Sequence, residues 1–353
     1  MVKRGGLGHM FPVINSDTCI DCGVCQKKCP SIHSLKKNKP QSAYAGWSKD
    51  EEDYRSSTSG GTASVLSHYA LSNGGVVYGC AMLPGIIVKH IRVDKIEDII
   101  KIKGSKYVQS DIIDVIPKLK EDVKNGHLTF FFGTPCQVAA IKSLYKVQPH
   151  NLVLVDLICH GVPSLDLLQK HIRDIAPDNH LNNIYFRDGN EILLLLVSNG
   201  KEIYRQSLSE SRYKEWYLNT FFDGYTYRDS CFQCPYACPE RISDITIGDF
   251  WGLGDHCPTV NIPPHPYGCS VILPNTFIGE EIIKILSTNM YLYERTVDEA
   301  VAGNDQLRAP VNLDSRKRIF RSLYPIMGKV AYYIVIMDKC LKYYLYIFKK
   351  KLL

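Results

Sequence analysis

The stretch LTFFFGTPCQVAAIKSLYKVQPHNLVLVDLICHGVP, residues 128–163, decides the fold. Leu128 to Phe132 is an apolar run closed by Gly133, and Thr134-Pro135 supplies a cap and a first-turn proline for a helix carrying Val138, Ile141 and Leu144. A second apolar run, Leu152 to Ile158, ends at Cys159-His160-Gly161. Strand, glycine turn, helix, strand is a βαβ unit, and runs this apolar suit strands covered on both faces. The expectation is a mixed α/β body. Both turns should reach one sheet edge, the usual ligand position of an open α/β sheet.

Outward from this unit the signals stay consistent. Thr62 to Ser72 places Val65, Leu66, Tyr69 and Ala70 at helical spacing, Asn73-Gly74-Gly75 stops it, and Val76 to Met82 reads as a strand. Downstream, Asp188-Gly189 and Asn199-Gly200 are hairpin turns between short strands from Ile184 to Arg205. Lys36 to Gly46 reads as a polar linker. The tail from Tyr324 is broken by Lys329, Asp338, Lys339, Lys342 and Lys349, too often for a membrane span. Ile326, Val330, Tyr333, Ile334 and Met337 are helically spaced beside basic residues, which permits a membrane-surface or partner-binding helix. A helix packed on its own domain is the more common outcome.

With 353 residues, 45% of them hydrophobic and 22% charged, the chain can build a sizeable core. A net charge of +6 without a basic, aromatic-interleaved stripe argues against nucleic-acid binding. Met1 to Met10 contains no apolar run of signal-peptide length, so a reducing cytoplasm is expected. Thirteen cysteines, odd in number and unevenly clustered, then point to ligation rather than disulfides.

Cys19, Cys22, Cys25 and Cys29-Pro30 have the C-x2-C-x2-C-x3-C-P spacing of a bacterial-type [4Fe-4S] run, with Gly23 letting the backbone turn close to sulfide. A structural zinc site would more often use two separated pairs. Cys231, Cys234 and Cys238-Pro239 resemble the second half of such a run with one ligand missing, which admits a second cluster. In two-cluster ferredoxins the fourth cysteine serves the other cluster. Cys29 would then complete the downstream site, and a downstream cysteine or Cys136 the first. The alternative keeps Cys231 and Cys234 at one shared site with Cys238 a bystander.

Two loops bear donors suited to a cofactor. Gly133-Thr134-Pro135-Cys136-Gln137 opens a helix, where free amides and the helix dipole favour a flavin phosphate or a thiolate. Lys103 to Ser110 gathers cationic, hydroxyl and amide groups around Gly104; on sequence alone an exposed loop is the commoner reading. Cys159 and His160, adjacent on extended chain, point to opposite faces and do not make a catalytic dyad. Ile245 and Ile247 form a strand running into Gly248-Asp249-Phe250-Trp251-Gly252.

Taken together, the run at Cys19–Pro30, Gly60-Gly61-Thr62, Gly104 to Ser110, Gly133 to Gln137, Ile158 to Ser164, Cys231-Phe232-Gln233-Cys234 and Asp244 to Gly252 resemble the beta-subunit family of coenzyme F420 hydrogenase/dehydrogenase, over residues 15 to 255. The resemblance implies an N-terminal ferredoxin-like [4Fe-4S] segment joined to an α/β flavin-binding body, an α+β or mixed α/β chain. Implied cofactors are FAD and one or two [4Fe-4S] clusters, with F420 or another small molecule as substrate. Implied cluster ligands are Cys19, Cys22, Cys25, Cys29, Cys231 and Cys234. Implied flavin surroundings are Gly60, Gly61, Thr62, Ser105, Lys106, Gly133, Thr134, Pro135, Cys136, Gln137, Cys159, His160 and Gly161. The expected division is a cluster segment (1–38), an N-terminal α/β part (47–150), a C-terminal part with the second cysteine group (151–320) and a Tyr/Lys-rich tail (321–353). The expected role is an oxidoreductase working with a redox partner protein. The competing role is an electron-wiring subunit without substrate chemistry of its own.

Overall fold

The computed structural model describes residues 2–30, 32–33, 35–177, 181–209, 213–255 and 262–343. Strands β1 (Val2–Arg4) and β2 (Met10–Pro12) pair as an antiparallel ribbon before the first cysteines. The body then supplies β3 (Ala43–Ser48), β4 (Val76–Leu83), β5 (Ile87–Val93), β6 (Thr129–Gly133) and β7 (Leu152–Leu157). A hairpin layer follows as β8 (Asn183–Asp188), β9 (Glu191–Ser198) and β10 (Lys201–Ser207). The chain returns to the body with β11 (Ile245–Asp249), β12 (Ser270–Pro274) and β13 (Met290–Arg295).

Eight of these strands make one mixed sheet in the order β13-β3-β12-β11-β7-β6-β4-β5. Its centre, β11-β7-β6-β4, is parallel, and antiparallel strands flank it on both sides. Phe130, Phe131 and Phe132 on β6 show why successive apolar residues were needed. Phe130 and Phe132 pack with Val65, Leu66, Ile282 and Ile283 beneath helices Thr62–Ser72 and Phe277–Leu286. Phe131 points the other way, into Leu119, Val138 and Ile141 of helices Ile116–Lys124 and Pro135–Lys142. Helices therefore cover both faces, and truncating the fully buried Phe131 to alanine would cost on the order of 3–5 kcal/mol.

The hairpin layer folds as its turns require: Gly189, Asn199 and Gly200 adopt positive φ, joining Asp188 to Glu191 and Ser198 to Lys201. Against it pack helix Leu165–Ile175 and the C-terminal helices Ser315–Met327 and Val330–Val335, through Leu168, Ile172, Phe320, Tyr332 and Ile336. The expected linker over Lys36–Gly46 is shorter than its composition suggested. From Ala43 onward it is β3, with Ala43 and Ala45 fully buried between β12 and β13. Among the described residues no helix is long and apolar enough to cross a membrane.

Candidate functional site

The parallel strands all deliver their C-terminal ends to one edge, and a cavity of about 480 Å³ opens there. Its first wall is the turn into helix Thr62–Ser72. Ser59, Gly60 and Gly61 run at φ of 55°, 84° and 82°, the left-handed region that favours glycine. A Cβ on Gly60 would lie 2.7 Å from the Gly46 carbonyl and 2.8 Å from the Ser270 amide, so the turn is held against β3 and β12. Gly61, Thr62 and Ser64 then face the cavity, presenting the amide end of an eleven-residue helix.

The second wall is the turn from β6. Thr134 and Gln137 form a reciprocal capping box, with the Thr134 amide donating to Gln137 Oε1 at 3.0 Å. Gln137 Nε2 donates to the Ser110 carbonyl at 2.9 Å, tying this turn to the 103–110 loop. That loop is not the exposed segment its composition favoured: Ser105, Lys106, Val108, Gln109 and Ser110 form the cavity wall. It is drawn inward because Lys106 Nζ donates to the carbonyls of Ile102, Lys103 and Gly104 at 3.0, 2.6 and 3.1 Å. Burial lowers the Lys106 ammonium to about 8.

Two cavity groups carry no sequence signal strong enough to have been selected. His90 on β5 places Nδ1 2.8 Å from Ser110 Oγ and Nε2 2.8 Å from the Phe132 carbonyl. Burial lowers it to about 4, so it is neutral near pH 7, and a carbonyl partner at Nε2 puts the proton there. Arg228 contributes a second cation and contacts Gln109 Oε1 at 3.4 Å; the only clue was its place three residues before Cys231.

Eight of the cysteines fall into two groups. Cys136, on the capped turn, and Cys231 both line the cavity. The Arg228 amide donates to the Val162 carbonyl at 3.0 Å, which zips the Cys231 segment to the loop after Cys159. Burial raises the Cys159 thiol well above its ordinary value, and neighbouring Cys231, Cys136 and Cys234 raise it further. Cys231 is pushed up to about 12 by burial, with Cys136 and Cys234 adding to the effect. These four thiols thus share one region and oppose each other's ionisation, a conflict that a bound cationic centre resolves. Among the described residues, no three His, Cys, Asp or Glu side chains are gathered closely enough for a single metal ion.

Cys238 faces elsewhere, with Lys37 Nζ 3.2 Å from its sulfur. The rest of its segment is anchored from below: Arg241 donates to the buried Asp156 at 2.9 Å and to the Tyr236 carbonyl at 2.8 Å.

Cys19, Cys22 and Cys25 are exposed and Cys29 is half-buried around helix Val24–Lys28, which Gly23 enters at φ 67°. This segment is docked on the body. Lys28 Nζ donates to the Ser143 carbonyl at 2.9 Å, and Tyr236 stands between the groups, its hydroxyl 3.5 Å from the Pro30 carbonyl. Burial, then Cys136, Cys234 and Cys29, push the Tyr236 phenol up to about 12. The remaining implied residues lie behind the cavity wall. Gly60 and Pro135 are packed in their turns. Gly161, at φ 139°, abuts Tyr227, whose ring a Cβ would approach to 2.5 Å. His160 faces Phe221, with ring centroids 6.5 Å apart.

A mixed α/β body with a strand-end cavity, a group of neighbouring thiols beside it and a docked four-cysteine run defines an architecture of the redox-protein class. Residues 127–300 match the family model for the C terminus of the coenzyme F420 hydrogenase/dehydrogenase beta subunit. Over these residues the chain is similar to that family of oxidoreductase subunits. A 47-residue stretch is 45% identical to Ferredoxin-1 of Caulobacter vibrioides, covering 13% of this chain and 41% of the ferredoxin. The chain thus spans less than half the length of that relative. A chain in the xenon-derivatized F420-reducing [NiFe] hydrogenase complex from Methanosarcina barkeri shares the fold, with a TM-score of 0.50 and 19% identity, over 77% of this chain and 91% of that one.

Proposed function

We propose that the protein is a cytoplasmic iron-sulfur flavoprotein oxidoreductase. In this reading a docked [4Fe-4S] segment (Cys19, Cys22, Cys25, Cys29) and a second cluster are set beside a flavin cavity. The observation that carries the reading is that Cys136 and Cys231 line the same cavity as the Thr62 helix end, Lys106 and Arg228. The donor set fits both groups: four mutually opposed thiols suit a cationic cluster, and a helix N-terminus with two cations suits the diphosphate of FAD. Relative to the sequence expectation, Cys159 moves from flavin neighbour to ligand and Cys136, named there both as flavin neighbour and as a ligand candidate, joins it beside Cys231 and Cys234, while Cys238 stays outside the set. Cys29 then completes its own run rather than exchanging with the downstream site.

A flavin, when bound, takes two electrons together and releases them singly, whereas each cluster carries one. The chain's own residues prepare that exchange. Thr62, in the first turn of its helix, offers an amide donor to phosphate. Gln137 holds the β6 turn and the 103–110 loop at fixed separation. Neutral His90 offers no charge to the cavity, leaving Arg228 to bind anionic groups, while Lys106, its three N–H groups spent on carbonyls, contributes positive charge only. F420 or another small reducible molecule is the substrate class, and a redox protein or a second subunit is the electron partner, as the family's beta-subunit description suggests.

Replacing Cys159 with serine tests the assignment. The expected result is loss of about four irons per chain, with the cluster of the N-terminal run retained in electron paramagnetic resonance and flavin still bound. Full iron content in this variant would remove Cys159 from the ligand set. Cluster signals without flavin in the wild-type protein would favour a wiring subunit.

A further inference from the structure

The ribbon β1–β2 belongs neither to the mixed sheet nor to the cysteine run, yet it is held in one place on the body. Its turn folds back through the Gly5 and Gly8 amides, which donate to the carbonyls of His9 and Gly5 at 2.8 and 2.9 Å. Gly8, at φ 79°, lies so close to helix Leu165–Ile175 that a Cβ there would come within 2.6 Å of the Asp166 Cβ. Ser164 Oγ donates to the Leu7 carbonyl at 2.5 Å, and the buried His9 donates from Nε2 to the Val162 carbonyl at 3.0 Å. The same Val162 carbonyl accepts from the Arg228 amide, so the ribbon meets the cavity wall at Arg228.

Phe11 of β2 makes the closest approach to that side chain. The guanidinium carbon of Arg228 stands 4.4 Å from the centre of the Phe11 ring, well within the range of a cation–π contact. Gly5, just past β1, leaves room for the ring, since a Cβ there would sit 2.9 Å from Phe11 Cε2. Among the described residues, no carboxylate forms an ion pair with Arg228, and the adjacent Asp229 is drawn off by Arg321 of helix Ser315–Met327. The Arg228 side chain otherwise reaches Gln109 Oε1, at 3.4 Å. A guanidinium with one face on an aromatic ring keeps its N–H edge for an anion, and ordering it in advance lowers the cost of binding one.

We propose that Phe11 is a positioning residue for the cavity ligand: the N-terminal ribbon holds the Arg228 guanidinium by its face and leaves its N–H edge to a phosphate of the bound flavin nucleotide. Phe11 is not among the residues that line the cavity, so it acts through Arg228. The proposal rests on the flavin reading and deepens it, giving a part in ligand affinity to a segment that no motif marks.

The FAD affinity of the full-length protein tests it, read from the flavin fluorescence recovered on dilution. Phe11→Leu keeps apolar bulk but removes the ring face, and should weaken FAD binding about three- to tenfold. Phe11→Tyr restores the face and should bind as the wild type does. Arg228→Gln should weaken binding and flatten its dependence on salt. The deciding comparison joins the two changes: Phe11→Leu added to Arg228→Gln should cause no further loss, because the ring then has no cation to hold. An equal loss from Phe11→Leu with and without Arg228 would make the ribbon a general brace and overturn the proposal, as would undiminished FAD binding by Phe11→Leu alone. A wild-type protein that binds no FAD would overturn the flavin reading itself, and the proposal with it.

Discussion

His90 shows how much a single residue of the cavity depends on its protonation state. Its two nitrogens are spent on Ser110 and the Phe132 carbonyl, and burial lowers its pKa from 6.5 to about 4. The unfolded chain therefore binds the extra proton first. The stabilisation is complete above about pH 6.5 and is lost progressively as the pH falls toward 4, to a limit of about 3 kcal/mol. His9, also lowered to about 4 by burial, acts in the same direction. Urea unfolding at pH 7.5 and at pH 5 should show this loss, and His90→Gln should reduce it. An unchanged difference in the variant would place the titration elsewhere. Nothing in the sequence announced His90, because an isolated histidine in a strand carries no spacing to read. Cys19, Cys22, Cys25 and Cys29 stand out in the sequence because their spacing is local. Cys136, Cys159 and Cys231 come together only when three loops meet at a sheet edge, and the sequence separates them by 23 and 72 residues.

At the level of elements, β7 and β11 do more than build the sheet. Asp156 on β7 is fully buried, accepts from Arg241 at 2.9 Å and from Thr246 Oγ1 at 2.5 Å, and so fixes the segment that carries Cys231 and Cys234. Arg241→Ala would leave a buried carboxylate without its cation, at a cost on the order of 3–5 kcal/mol. Thermal melting should show the loss, and iron bound through the Cys231 segment should fall with it. A variant with wild-type stability would mean that the ion pair contributes no net energy. The elements themselves were largely readable. The strand–turn–helix–strand unit at 128–158 and the helix and strand at 62–83 follow local periodicity and caps. β3 was missed because its alternation of alanine, tyrosine and glycine lacks apolar bulk; it is buried by the neighbours β12 and β13, which lie more than 220 residues away in sequence.

Over the whole molecule, the N-terminal cysteine run docks beside Tyr236, which also neighbours Cys136 and Cys234, and two of the four thiols line the cavity. The sequence marked the two cysteine groups but not their nearness, which is set by the docking of Lys28 and Lys37 onto the body. The measurement that bears most directly on the account is anaerobic purification followed by quantification of iron, acid-labile sulfide, zinc and flavin. About eight irons, matching sulfide and one flavin per chain are predicted. Zinc in place of iron, or iron without flavin, would contradict it.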